Sequence, residues 1–204
     1  MGSRRTEDGT FRTWNTIQLG THRTGIELFA AVKKMQAELA AQFAREAKEF
    51  IDEEIKRGVQ IKVDVVPPDP AQERRNAETD AFLRDLASRL PVAASPVSVE
   101  LVAASVADLG LPDNTRLDAV EEAARRHGLY RCVPEAAFQA RLQTNQGHRE
   151  GYYLLASPFG GLRDVRFDLL GLDDVQLIDA CFSQPDNVYG MAKQCVFLWQ
   201  RTQN

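Results

Sequence analysis

VSVELVAASVADLG (97–110), GLYRCVPEAAFQARLQT (128–144), EGYYLLASPF (150–159), SQPDNVYG (183–190) and CVFLWQR (195–201) are the stretches whose reading decides the fold. Val97 to Ser105 is rich in residues that suit a pleated, packed surface and reads as a strand. Thr115-Arg-Leu-Asp118 has the spacing of a capping box, so a helix carrying Leu117, Val120 and Ala124 is expected from there to Gly128. Arg141 to Thr144 and Tyr152 to Ala156, joined through Asn145-Gln-Gly147, read as a hairpin with a loop longer than two residues. Val165 to Leu169, Val175 to Phe182 and Cys195 to Trp199 add further strands. Strands outnumber helices here and short turns join them. The fold class that follows is α+β, a mainly antiparallel C-terminal sheet with the 115–127 helix packed on it.

Upstream the period changes. Residues 1–10 are polar and charged and read as a disordered tail, and Phe11 to Leu19 reads as a short strand before Gly20. Thr24-Gly-Ile-Glu27 is a second capping box. From it Leu28, Val32, Met35, Leu39, Phe43, Ala47 and Phe50 follow at steps of three and four, which predicts a helix to about Arg57 with Gly58 as its stop. Such a rod is roughly 50 Å long at ~1.5 Å per residue. Gln42 and Glu46 interrupt a heptad, so a simple coiled coil is disfavoured, and the rod either packs on its own domain or offers a face to a partner. Val59 to Val65 alternates like a strand that Pro67-Pro68 ends, and Asp69-Pro-Ala-Gln72 opens another helix with Phe82, Leu83, Leu86 and Leu90 on one side. Leu90 to Pro96 reads as a linker between a helical N-terminal portion, 11–95, and a sheet domain, 96–204.

At 204 residues and 44% hydrophobic the chain can bury a core without disulfides or metal. A formal charge of −4 supplies no net pull toward phosphate backbones or anionic membranes, and nucleic acid is a disfavoured partner. Cys132, Cys181 and Cys195 are an odd number without a C-x-x-C pair, which fits a reducing cytoplasm and speaks against zinc. No membrane span and no signal peptide are expected from the apolar runs.

Trp14-Asn-Thr-Ile-Gln-Leu-Gly-Thr21, Val99-Glu-Leu-Val102 with Ser105-Val-Ala-Asp-Leu-Gly110, Gly128-Leu-Tyr-Arg-Cys132, Glu135, Gln139 with Arg141-Leu-Gln143, and Pro185-Asp-Asn187 resemble a family of small prokaryotic proteins to which no activity is assigned. Its pattern runs W-K-T-I-K-L-G-T, V-D-L-V-V-V-S-V-A-E-L-G, G-L-x-L-C-P-A-E with L-R-L-Q-Y, and G-H-P-D. The resemblance implies no catalytic residue, cofactor or ligand. The chain departs from the pattern at Val133, where the family has proline, and at Gln184, where it has histidine; residues 35–95 are longer and more helical than the family pattern.

Candidate chemistry is sparse. Cys132 with His127 or His148 would be a nucleophilic pair, but His127 closes a helix, where a cation suits the dipole, and His148 falls in a loop. His22, His127 and His148 lack metal-ligand spacing, Asp173-Asp174 reads as a turn, and neither metal nor cofactor is expected. Phe159-Gly-Gly-Leu162 lacks the lysine and helix start of a phosphate cradle. An enzyme of hydrolase or transferase type would use Glu135, Arg141 and Gln143 beside the Pro185-Asp186-Asn187 turn. Tyr152, Tyr153, Asp186, Asn187 and Tyr189 are the candidate binding residues, and Tyr152 and Tyr153 must point to opposite faces of their strand. The leading expectation is a non-catalytic protein-binding or regulatory protein of bacterial or mobile-element origin, whose partner is another protein engaged through the 24–57 helix. The enzyme and a nucleic-acid-binding regulator are its alternatives.

Overall fold

The structure is a computed structural model that describes residues 6, 10–60, 69–144, 152–169, 178–182, 187–189 and 194–201. In chain order the elements are β1 (Thr13–Leu19), α1 (Gly25–Lys56), α2 (Pro70–Ser88), β2 (Val97–Ser105), β3 (Thr115–Arg116), α3 (Leu117–Arg126), β4 (Leu129–Tyr130), α4 (Glu135–Gln143), β5 (Tyr152–Leu155), β6 (Val165–Leu169), β7 (Ile178–Phe182), β8 (Val188–Tyr189) and β9 (Val196–Arg201). Among the described residues one sheet runs β1-β2-β9-β5-β6-β7, with β4 also on β9, and β3 pairs with β8 apart from it. All the pairs are antiparallel except β5 with β9, so the fold is α+β with a mainly antiparallel, mixed sheet.

Alternation along the central strands sends side chains into two cores. Leu101, Ala103, Val196, Leu198 and Leu154 join the core covered by α1, α2 and α4. Val102, Ala104, Phe197, Trp199 and Leu155 join the core covered by α3 and the β3–β8 pair. This is why β2 and β9 read as near-continuous apolar runs: both faces are covered. The 95/96 boundary separates no domains, because β1 pairs with β2 from Thr13↔Val102 to Leu19↔Val97 and Ile17, Leu28 and Leu86 share one core with Leu154 and Phe167.

Three local readings are corrected. Residues 141–144 form no strand: Arg141 to Gln143 end α4, and the antiparallel partner of β5 is β6. Nearly every residue of α4 is buried, so the helix carries no amphipathic signal to read. A second helix therefore packs on the sheet, on the face opposite α3. Thr115 does not cap α3; it lies in β3 and donates to the Pro112 carbonyl at 2.6 Å, while Asp118 accepts from Ala119 N at 2.8 Å. The strand expected over 59–65 lies largely outside the described residues.

α1 begins as its sequence dictates, with Thr24 Oγ1 accepting from Glu27 N at 3.2 Å and Glu27 accepting from Arg23 N at 2.9 Å. Gly25 lets α2 come close, since a Cβ there would lie 2.2 Å from the Ala87 carbonyl oxygen. Leu28, Phe29 and Val32 are buried, but from 40 to 50 every residue is exposed. Lys33 reaches Asp80 at 3.0 Å and ties α1 to α2 before the exposed half begins.

Candidate functional site

Glu135, Gln139 and Gln143 recur every four residues on α4 and form a polar ladder against the outer edge of β1. Glu135 is 2% exposed and accepts from Gly20 N at 2.6 Å, Ala93 N at 2.8 Å and Gln139 Nε2 at 2.9 Å. Gln139 Nε2 also donates to Thr21 Oγ1 at 2.7 Å, and Gln139 Oε1 accepts from Gln143 Nε2 at 2.7 Å. Gly20 has φ +70 and a Cβ there would lie 2.5 Å from the Ser95 carbonyl oxygen, so this approach requires glycine. A buried carboxylate gripped by two backbone donors and an amide is a latch, with its lone pairs committed to folding.

The ladder does not form the expected cleft. Arg141 is buried at 5% and, six positions after Glu135, faces another side of α4. Asn187 sits on the opposite face of the sheet, its carbonyl accepting from Leu117 N at 2.9 Å at the start of α3. Asp186 lies outside the described residues, as do Gln184, Pro185, His148 and Asp173-Asp174.

Tyr152 and Tyr153 do point to opposite faces. Tyr152 is buried and packs on Trp14 with ring centroids 5.2 Å apart, which withdraws it from binding. Tyr153 and Tyr189 meet, with centroids 5.9 Å apart, around Arg166. The Arg166 guanidinium lies 4.5 Å from the Tyr153 ring centroid, donates to Tyr189 Oη at 3.3 Å, and grips Asp168 through Nε at 2.6 Å and Nη2 at 2.8 Å. Burial opposes the Arg166 charge, but the Asp168 hydrogen bonds and charge outweigh it and hold the guanidinium protonated. Burial, with the nearby Asp168 charge, pushes the Tyr153 phenol up. Such a closed cluster braces the sheet across β5 and β6.

Cys132 is fully buried and its Sγ–H points to the Leu198 carbonyl at 3.5 Å. Burial pushes its thiol well above the ordinary range, so it supplies no thiolate. His127 caps α3 and meets the Phe11 ring edge-on at 5.2 Å.

Two surface hollows lie among the described residues. A groove of about 730 Å³ runs along Ile26, Ala77, Asp80, Ala81, Arg84 and Asp85, between α1 and α2. A cleft of about 350 Å³ lies by Leu19, Val99, Tyr130, Arg131, Gln200 and Arg201. Its arginines are already engaged: Arg131 with Glu121 and with Asp164 at 2.9 Å, Arg201 with the Phe11 carbonyl and with Glu100 at 3.6 Å. Among the described residues no group of three or more His, Cys, Asp or Glu side chains is arranged to hold a metal, and no helix is long and apolar enough to cross a membrane.

The exposed half of α1 is a further feature. Phe43 is 43% exposed, Phe50 64% and Ile55 55%, on a helix whose first turns bury the same kind of side chain. The steps of three and four from Leu28 to Phe50 were the sequence signal for it. What the sequence could not show is where the body stops covering that stripe.

Fold and site together define an α+β protein with a half-uncovered amphipathic helix. Compared with protein-family models, curated proteins and solved structures, the chain matches none.

Proposed function

We propose that this chain is a non-catalytic protein-binding or regulatory protein that engages another protein through the exposed half of α1. One observation carries the reading: Phe43 and Phe50 stand exposed on the face that, nearer the start of α1, buries Leu28 and Val32 in the core. Large apolar side chains in a row on an exposed helix serve recognition more often than solubility. The commitment of Glu135 and Gln143, two of the three enzyme candidates, to the edge of β1 supports it from the other side. The bacterial cytoplasm, a mobile-element origin and the kinship with the small prokaryotic family belong to this proposal.

The test is a quantitative pull-down from native lysate with the intact chain and with a Phe43→Ala/Phe50→Ala variant. A stoichiometric partner held by the first and lost by the second supports the reading. Equal recovery by both, or no stoichiometric partner for either, overturns it.

A further inference from the structure

Basic residues along the exposed half of α1 keep to one face. Helical spacing puts Leu39, Phe43, Ala47 and Phe50 in one stripe, and Glu46, Glu53 and Glu54 stand beside it. Arg45, Lys48 and Lys56 fall on the far side together with Glu49, and Asp52 lies directly opposite the stripe. The one basic residue on the stripe side over this span, Arg57, is already engaged by Glu54 at 2.6 Å and Glu53 at 3.8 Å. Among the described residues Glu46 accepts from the neutral Gln42, at 2.7 Å, and has no ion pair.

We infer that the partner segment is a basic amphipathic helix, whose apolar residues cover Leu39, Phe43 and Phe50 and whose lysines or arginines meet Glu46, Glu53 and Glu54. This rests on the reading of α1 as the binding face and adds the chemistry of what binds. Spacing at three and four residues on the chain's side calls for a helix opposite, since ridges of that period pack into the grooves of another helix. The acidic border then selects among helices by charge. A second copy of the chain would bring three more acids and an arginine already bound to two of them. Nucleic acid and an anionic membrane surface would bring phosphate against the same carboxylates.

The experiment uses the full chain and two synthetic helical peptides with one leucine stripe, bordered by lysine in one and by glutamate in the other. Fluorescence anisotropy should show binding of the lysine peptide alone, weakening about tenfold or more when salt rises to several times the physiological level. Glu46→Lys should weaken it several-fold, while Asp52→Lys, the same charge change on the opposite face, should leave it within about twofold. Equal binding of both peptides, equal effects of the two substitutions, binding to phosphatidylglycerol vesicles in preference to the peptide, or a stable dimer that Phe50→Ala dissociates would each overturn the inference. If Phe43→Ala/Phe50→Ala costs the chain its cellular partner while the lysine peptide is not preferred, the charge assignment alone fails. If those two substitutions are silent in both assays, the binding face itself is wrong.

Discussion

Gln143 reads both backbone groups of Gln18 with one carboxamide. Gln18 N donates to Gln143 Oε1 at 2.8 Å, and Gln143 Nε2 donates to the Gln18 carbonyl at 2.7 Å. A side-chain amide has the same donor and acceptor as a peptide, so this glutamine stands where a further strand would pair and closes the edge of β1. Gln143→Ala should cost about 1 kcal/mol, because water can replace bonds at this exposed position, whereas Gln143→Glu sets a carboxylate against the Gln18 carbonyl and should cost more. Urea midpoints of the two variants check the order. A glutamate variant as stable as the parent would show that the contact does not secure the edge.

Deeper on the same helix, Glu135 offers a harsher version of that test. Glutamine there keeps one acceptor oxygen for the Gly20, Ala93 and Gln139 donors and turns an NH₂ toward one of them. Glu135→Gln should lose about 2–3 kcal/mol, the scale of a buried charge-assisted hydrogen bond with an orphaned donor. Denaturant unfolding measures it, and an unchanged midpoint would return Glu135 to the list of residues free for chemistry.

Gly25 is fixed by space. A Cβ there would lie 2.2 Å from the Ala87 carbonyl oxygen and 2.7 Å from Leu90 Cβ, and a helix backbone cannot step aside as a flexible side chain can. Gly25→Ala should therefore destabilise by about 1–3 kcal/mol or more, although alanine is the better helix former. A thermal midpoint at or above that of the parent would mean that α1 and α2 do not approach as described.

Much of this fold was legible where one face of an element is buried and the other is wet. Thr24, Leu28 and Val32 announce α1, and Asp69-Pro70 announces α2, whose cap accepts from Ala71 N at 2.9 Å. β2 was readable to the residue because its apolar run is bounded by Pro96 and by the turn at Asp108, which accepts from Ser105 N at 2.9 Å. α4 shows in the sequence only at its start, where Glu135 just after Pro134 suits a first helical turn; beyond it Ala136, Ala137, Phe138 and Ala140 surround the helix with apolar contacts and leave no period. That loss hid the ladder as well: Glu135, Gln139 and Gln143 are spaced as one face only if the segment is helical, and their partners Gln18, Gly20 and Thr21 lie more than a hundred positions away. Arg166 was missed for a related reason, since its meeting with Tyr153 and Tyr189 depends on strand order.

The two halves of α1 should answer to mutation in opposite ways. Phe50→Ala removes a side chain that is 64% exposed and should change stability by less than about 0.5 kcal/mol. Leu28→Ala removes one that is fully buried and should cost about 2–5 kcal/mol. If Phe50→Ala proved as costly as Leu28→Ala in unfolding of the isolated chain, the stripe would be covered from within and not by a partner.

Cys132 gives the fold a pH dependence of known sign. In the folded chain burial keeps the thiol protonated far up the alkaline range, while in the unfolded chain it ionises from about pH 8.5. Above that point the folded state holds one more proton than the unfolded state, so stability is intact below it and declines as pH rises toward the folded pKa. The slope from this single group is about 1.4 kcal/mol per pH unit. Cys132→Ala cannot show that slope, so the stability advantage of the parent over the variant should shrink steadily above about pH 8.5. The same burial should protect Cys132 from iodoacetamide in the native chain while the half-buried Cys181 and Cys195 are alkylated, and peptide mass spectrometry reads the three sites separately. Native labelling of Cys132 at the rate of the other two, or a pH profile indifferent to its removal, would contradict a thiol sealed under the Leu198 carbonyl.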